Sequence, residues 1–165
     1  MSADEPLTSR LTPADVVAQW SAQDPAHDYS LMEPFGQLFR VNAKVSTLLA
    51  EIFRGFGIGP GEFDVLATLY RSGAPYVLTP RDLLETMMVT SGGLTGRLDR
   101  LERADMITRK THPEDRRSIQ VHLLPHGRLV VTRAALAELE AYRELTKNLS
   151  AKDINQLNEI LGKLG

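Results

Sequence analysis

The sequence predicts a mainly α fold with one small β wing, an α+β chain of low strand content. Three observations predict it. Apolar residues recur at three- and four-residue spacing along most of the 165 residues. Thr-Pro and serine cap signals open one helix after another. Two β-like runs, residues 107–111 and 118–123, flank Pro113-Glu114-Asp115, which has turn chemistry. A hydrophobic fraction of 42% suffices for a packed core, and the length fits one domain with an elaborated flank.

Residues 1–10 are polar. Thr12 then caps a short helix with Pro13 at its first position. Val16, Val17 and Trp20 give it one apolar stripe, and Asp24-Pro25 ends it. A helix this short must dock on something to persist. A linker leads into a long helix from about Glu33 to Phe56, on which Phe35, Leu38, Phe39, Val45, Leu49, Ile52 and Phe53 form a wide stripe. Gly55 to Gly61 breaks it. That loop superficially resembles a phosphate cradle, but it follows a helix and lacks Gly-Lys-Ser/Thr, so helix-breaking glycines are the better account.

The next helix runs from Gly61 to Ser72 with Phe63, Leu66, Ala67 and Leu69 or Tyr70 inward. A turn follows, with at most one short strand in residues 73–80. Thr79-Pro80 opens a helix whose core residues are Leu83, Leu84 and Met87. Thr90 or Ser91 caps another, with Leu94, Leu98 and Leu101 inward. Two short helices separated by a few residues have helix-turn-helix spacing. The hairpin that follows makes it winged. Pro125-His126-Gly127 starts a long helix to about Asn148, bearing Leu129, Leu136, Leu139 and Leu145. Ser150 caps a last helix with Ile154, Leu157, Leu161 and Leu164. The chain therefore divides into an N-terminal extension with a short helix (1–32), a dimerisation helix (33–58), a winged helix-turn-helix DNA-binding domain (59–124) and C-terminal dimerisation helices (125–165).

Charge locates the working surface. The chain is net -2, so any nucleic-acid surface is local. From Arg97 to Arg117, seven basic residues stand against five acidic ones. Alternating charge on a helix is commonly a solvated face. Here placement points to double-stranded DNA. Ser91, Gly92, Thr95 and Gly96 are small enough for close approach to a groove floor, and N–H groups at a helix start suit phosphate. Thr95 can address a base edge, while Arg97 and Arg100 follow along the helix. Arg116 and Arg117 at a hairpin tip can enter a minor groove. One winged unit contacts few bases. The terminal helices carry more apolar surface than one small core needs, which predicts a homodimer with reading helices about 34 Å apart. An intramolecular helical bundle is the alternative.

Other chemistries are disfavoured. There is no cysteine, which excludes disulfides and thiolate metal sites and fits a cytoplasmic location. His27, His112, His122 and His126 are scattered, so no metal site is expected. No Ser-His-Asp order stands at a strained elbow, so no enzyme is expected. No secretory signal or membrane span is expected.

The order helix, helix, reading helix, wing, long helix, short helix resembles the MarR family of transcriptional regulators. The resemblance covers about residues 33–164. It is carried by GEFDVLATLYRSG (61–73), by residues 78–128 and by the wing signature Asp115-Arg116-Arg117, with Asp115 as the wing's salt-bridge carboxylate. Leu124 replaces a more usual threonine. The resemblance implies a homodimer, a near-palindromic operator, no cofactor, and a small aromatic effector that weakens DNA binding. A narrower likeness is to a branch that responds to urate and adds an N-terminal helix bearing a tryptophan, matched by Trp20. It implies that Trp20 and Arg97 hold a urate-like or phenolic ligand, and that Asp64, paired with Arg109, transmits the signal. Structural roles for Trp20 and Asp64, and a phosphate contact for Arg97, stand as alternatives.

Overall fold

The computed structural model describes residues 11–87, 93–111 and 118–164. The chain divides into two compact units, one ending at Leu48 and the other running from Leu49. The start of the C-terminal helix belongs to the core of the second unit.

The first unit holds α1 (Pro13–Gln23) and most of α2 (Met32–Arg54). Thr12 caps α1 in a capping box with Asp15, whose carboxylate takes the Thr12 N–H at 2.7 Å. Asp24 ends the helix as anticipated. Pro13 is the buried residue of α1 and packs on Gly36 of α2. Arg40 donates to the Leu11 carbonyl at 3.2 Å.

The second unit begins with the last turns of α2. Its elements are α3 (Pro60–Arg71), β1 (Val77–Leu78), α4 (Pro80–Thr86), α5 (Leu94–Arg103), β2 (Ile107–Thr111), β3 (Ile119–Leu123), α6 (Pro125–Thr146) and α7 (Ala151–Gly162). The strands form an antiparallel sheet in the order β1-β3-β2. Ile107 pairs with Leu123 and Thr111 with Ile119. The short β1 adds a third strand, with Val77 opposite His122.

The core of this unit joins every layer. Phe53 of α2 stacks on Phe63 of α3 with ring centroids 4.1 Å apart. Leu66 and Leu69 of α3, Leu83 of α4, and Leu94, Leu98 and Leu101 of α5 are buried, as the periodicity required; Val65 is buried as well, whereas Leu84, expected in the core, is exposed. Ile107, Val121 and Leu123 close the sheet side. On α6, Gly127, Val131 and Ala134 are buried, whereas Leu129, Leu136 and Leu139 are exposed. The leucine stripe therefore faces away from this core, and the small residues face it. Among the described residues α7 buries none.

Two corrections concern the helix-turn-helix. α4 ends at Thr86, with Met87 already extended, so it is shorter than the apolar run. The residue preceding α5 is Gly93, not Thr90 or Ser91, and its φ of 84° lies in the left-handed region that glycine enters without steric cost. The helix starts there with no side-chain cap bond.

Candidate DNA-reading and effector-linked site

α5 is the candidate reading helix. Its Leu94, Leu98 and Leu101 are buried at 7%, 3% and 1% exposure. That anchorage leaves Thr95 exposed and Gly96 half-buried on the other side. Ser91, Gly92, Asp115, Arg116 and Arg117 lie outside the described residues.

The arginines of this region differ sharply in surroundings. Arg97 turns inward toward α3 and lies across Gly61. A Cβ at that position would come within 2.7 Å of the Arg97 Cζ and 3.0 Å of its Cδ. Glycine at 61 is thus what admits the guanidinium. Its Nη1 is buried without a hydrogen-bond partner among the described residues. Asp64 stands one turn further along α3 and is 8% exposed. Spacing of three places Gly61 and Asp64 on one helix face.

Arg100 emerges one turn later. Its Nε donates to the Glu62 carboxylate at 2.6 Å, and its Nη2 is paired with the same oxygen. The expected DNA contact is therefore a half-exposed cation with a carboxylate already on it.

Arg109 of β2 does not pair with Asp64. Its Nε and Nη2 donate to Glu102 at 2.8 and 2.6 Å, and Nη2 also reaches Asp99 at 2.7 Å. Asp99 and Glu102 are three apart on α5, hence on one face, and that face meets the strand that follows directly. The Arg109 N–H completes the arrangement by donating to Glu102 at 2.8 Å. β2 is a sheet edge, and this carboxylate occupies a donor that the ladder leaves over. The Arg109 hydrogen bonds hold the Glu102 carboxyl below the usual glutamate range, and Glu102 in turn raises Arg109.

Trp20 belongs to the first unit. It is 49% exposed and packs on Tyr29 at 5.4 Å between ring centroids. The Tyr29 hydroxyl donates to Asp24 at 2.7 Å, and His27 Nδ1 lies 2.8 Å from the same oxygen. Tyr29, Asp24, Glu62, Gly61, Asp99 and Glu102 were not expected from sequence as site residues. Only Glu62 carried a local signal, as an acidic residue three positions after the start of a glycine-opened helix.

Among the described residues no group of His, Asp and Glu could hold a metal, and no helix is long and apolar enough to cross a membrane.

The fold and the exposed start of α5 define the winged-helix class of DNA-reading proteins. The MarR family profile (MarR_2) matches residues 56–118. The transcriptional regulator PecS of Dickeya dadantii is 33% identical over 151 residues, covering 92% of this chain and 91% of that one. The multiple antibiotic resistance protein MarR of Escherichia coli is 32% identical over 133 residues, covering 79% and 90%. A crystal structure of a mutant E. coli MarR in complex with operator DNA superposes with a TM-score of 0.69 at 30% identity, covering 84% of this chain and 99% of that one. A MarR-like regulator from Bacillus cereus shares the fold at a TM-score of 0.71 and 20% identity. The chain belongs to the MarR family: it is a DNA-binding transcriptional regulator and not an enzyme.

Proposed function

We infer that the protein is a homodimeric cytoplasmic repressor of a near-palindromic operator, released by a small aromatic anion of the urate type. The Arg97 guanidinium carries the effector reading. It is half-buried, lies in a cradle only glycine leaves open, and has an Nη1 that lacks a hydrogen-bond partner among the described residues. Shielding a cationic donor from water without an acceptor costs free energy, and an anionic ligand oxygen would supply the acceptor. Asp64, buried on the same face of α3, would be repelled by that anion. This replaces the expected relay through an Asp64–Arg109 pair, because Arg109 is held by Asp99 and Glu102. A ligand would act instead through Arg97 on α5 itself.

The homodimer rests on the exposed apolar side chains of α6 and α7, among them Leu136, Leu139, Leu157, Ile160 and Leu161. A second copy would cover them. The likeness to PecS, a transcriptional regulator, and to a MarR crystallised with operator DNA supports the regulatory reading.

The test is a titration of urate, xanthine and salicylate into the protein bound to its footprinted operator. Urate is expected to weaken binding by roughly 5- to 150-fold, the range of ordinary allosteric coupling. Arg97→Gln and Trp20→Phe should blunt that response while still binding DNA. Release by salicylate alone would move the assignment to a phenolic effector. Absence of any footprint at low salt would favour a winged-helix protein-interaction module instead.

A further inference from the structure

We propose that Glu62 is a positioning residue that withholds Arg100 from DNA phosphates, so that the reading helix meets non-operator DNA with one cation fewer than its sequence carries.

The N-cap of α3 is Gly59, which has no side chain to accept a free N–H of the first turn. The Glu62 carboxylate turns back over that end. One oxygen, Oε2, accepts from the Gly59 N–H at 3.0 Å. The other, Oε1, accepts from Arg100 Nε at 2.6 Å and is paired with its Nη2. One carboxylate thus ties the start of α3 to the last turn of α5, across 38 positions of sequence. Gly59 makes this possible. A Cβ there would fall 2.6 Å from Oε2 and lift the carboxylate away from the helix end.

The two partners are unequally placed. The Glu62 side chain is 12% exposed and the Arg100 side chain 55%. The anion is anchored by two kinds of donor and largely shielded, while the cation reaches it from solvent. A carboxylate so held is ready to receive the guanidinium without ordering itself first, and its charge-assisted bonds compete directly with a phosphate for the same N–H groups. Arg100 also lies back along its own helix, with Nη1 3.5 Å from the Cβ position of Gly96. Both contacts turn the guanidinium along the protein surface. Contacts to phosphate are independent of sequence, so a withheld cation lowers non-operator binding.

Each cation placed on a phosphate steepens the dependence of log K on log salt by about 0.9. Glu62→Gln keeps the size and a neutral acceptor for the Gly59 N–H but removes the charge that holds Arg100. On a non-operator duplex, Glu62→Gln should bind more tightly at low salt, with a slope steeper by about 0.9 for each chain in contact. In an Arg100→Gln background the same substitution should change nothing. Arg100→Gln alone should leave the non-operator slope at its wild-type value. An unchanged slope in Glu62→Gln, or the same steepening without Arg100, overturns the proposal. A flatter slope in Arg100→Gln also overturns it, because Arg100 would then already sit on phosphate, and this readout does not depend on Glu62→Gln folding. A purely architectural Glu62 would move the melting temperature and neither slope.

Discussion

Glu102→Ala removes the anchor between the reading helix and the first wing strand, and its cost can be worked from the geometry. Two interactions are lost. The first is the Arg109 N–H donated to the carboxylate at 2.8 Å. Hydrogen bonds to charged groups contribute roughly 1.5–3 kcal/mol when shielded. The Glu102 side chain is 33% exposed, so about 1 kcal/mol is the appropriate share here. The second is the Arg109 guanidinium pair, and an ion pair at that exposure adds about 1 kcal/mol at most. The sum is about 2 kcal/mol, or a fall of roughly 4–8 °C in melting temperature for a chain of this length. Glu102→Gln retains an acceptor for the N–H and loses the charge, so it should cost about half as much.

The pH dependence has a definite sign. The Arg109 hydrogen bonds depress the Glu102 carboxyl below its ordinary value of 4.5. A depressed carboxyl adds stability that is complete above the unfolded value and is lost as pH falls through the folded one. Urea midpoints of wild type and Glu102→Gln should therefore differ at neutral pH and converge in acid below the glutamate range. Equal midpoints at neutral pH, or a gap that persists in acid, would refute the assignment of Glu102 as a charged anchor.

Gly61→Ala should change urea stability by less than about 1 kcal/mol, because better helix propensity offsets the displacement of a flexible guanidinium. The same variant should lose effector response, since a Cβ would stand 2.7 Å from the Arg97 Cζ; a full response would show that Arg97 does not need this cradle. His122 gives a second pH effect. Burial first, then Lys110, holds its imidazole below the ordinary 6.5, and its Nε2 has no hydrogen-bond partner among the described residues. The unfolded chain takes up this proton at higher pH than the folded one, so stability should fall as pH drops below about 6.5. His122→Gln, which cannot titrate, should flatten that part of the urea-midpoint profile; an identical profile would exclude His122 as its source.

Local chemistry was legible wherever it is written in neighbouring residues. Thr12-Pro13, Thr79-Pro80 and Ser150 each open the helix they announce, because a cap and its N–H lie within three positions. The inward leucines of α5 and both strands of the hairpin follow from periodicity alone. Even the edge of α5 was nearly readable: small residues were expected there, and a left-handed glycine supplies the start in place of a serine or threonine cap.

Partner choice was another matter. Arg109 had acidic residues available in several elements, and only the packing of β2 beside α5 selects Asp99 and Glu102 over Asp64. Glu62 and Arg100 meet because α3 and α5 share a core, not because of any spacing between them. The two residues of β1 form a strand only because β3 offers them an open edge. A long side chain reaches whatever the fold brings within a few ångströms, so periodicity can say which face an arginine leaves from but not which carboxylate it finds. The sequence alone determined that this chain is a winged reading unit with apolar flanks. The tertiary structure decided which carboxylates Arg100 and Arg109 meet, and that Arg97 lies half-buried over Gly61.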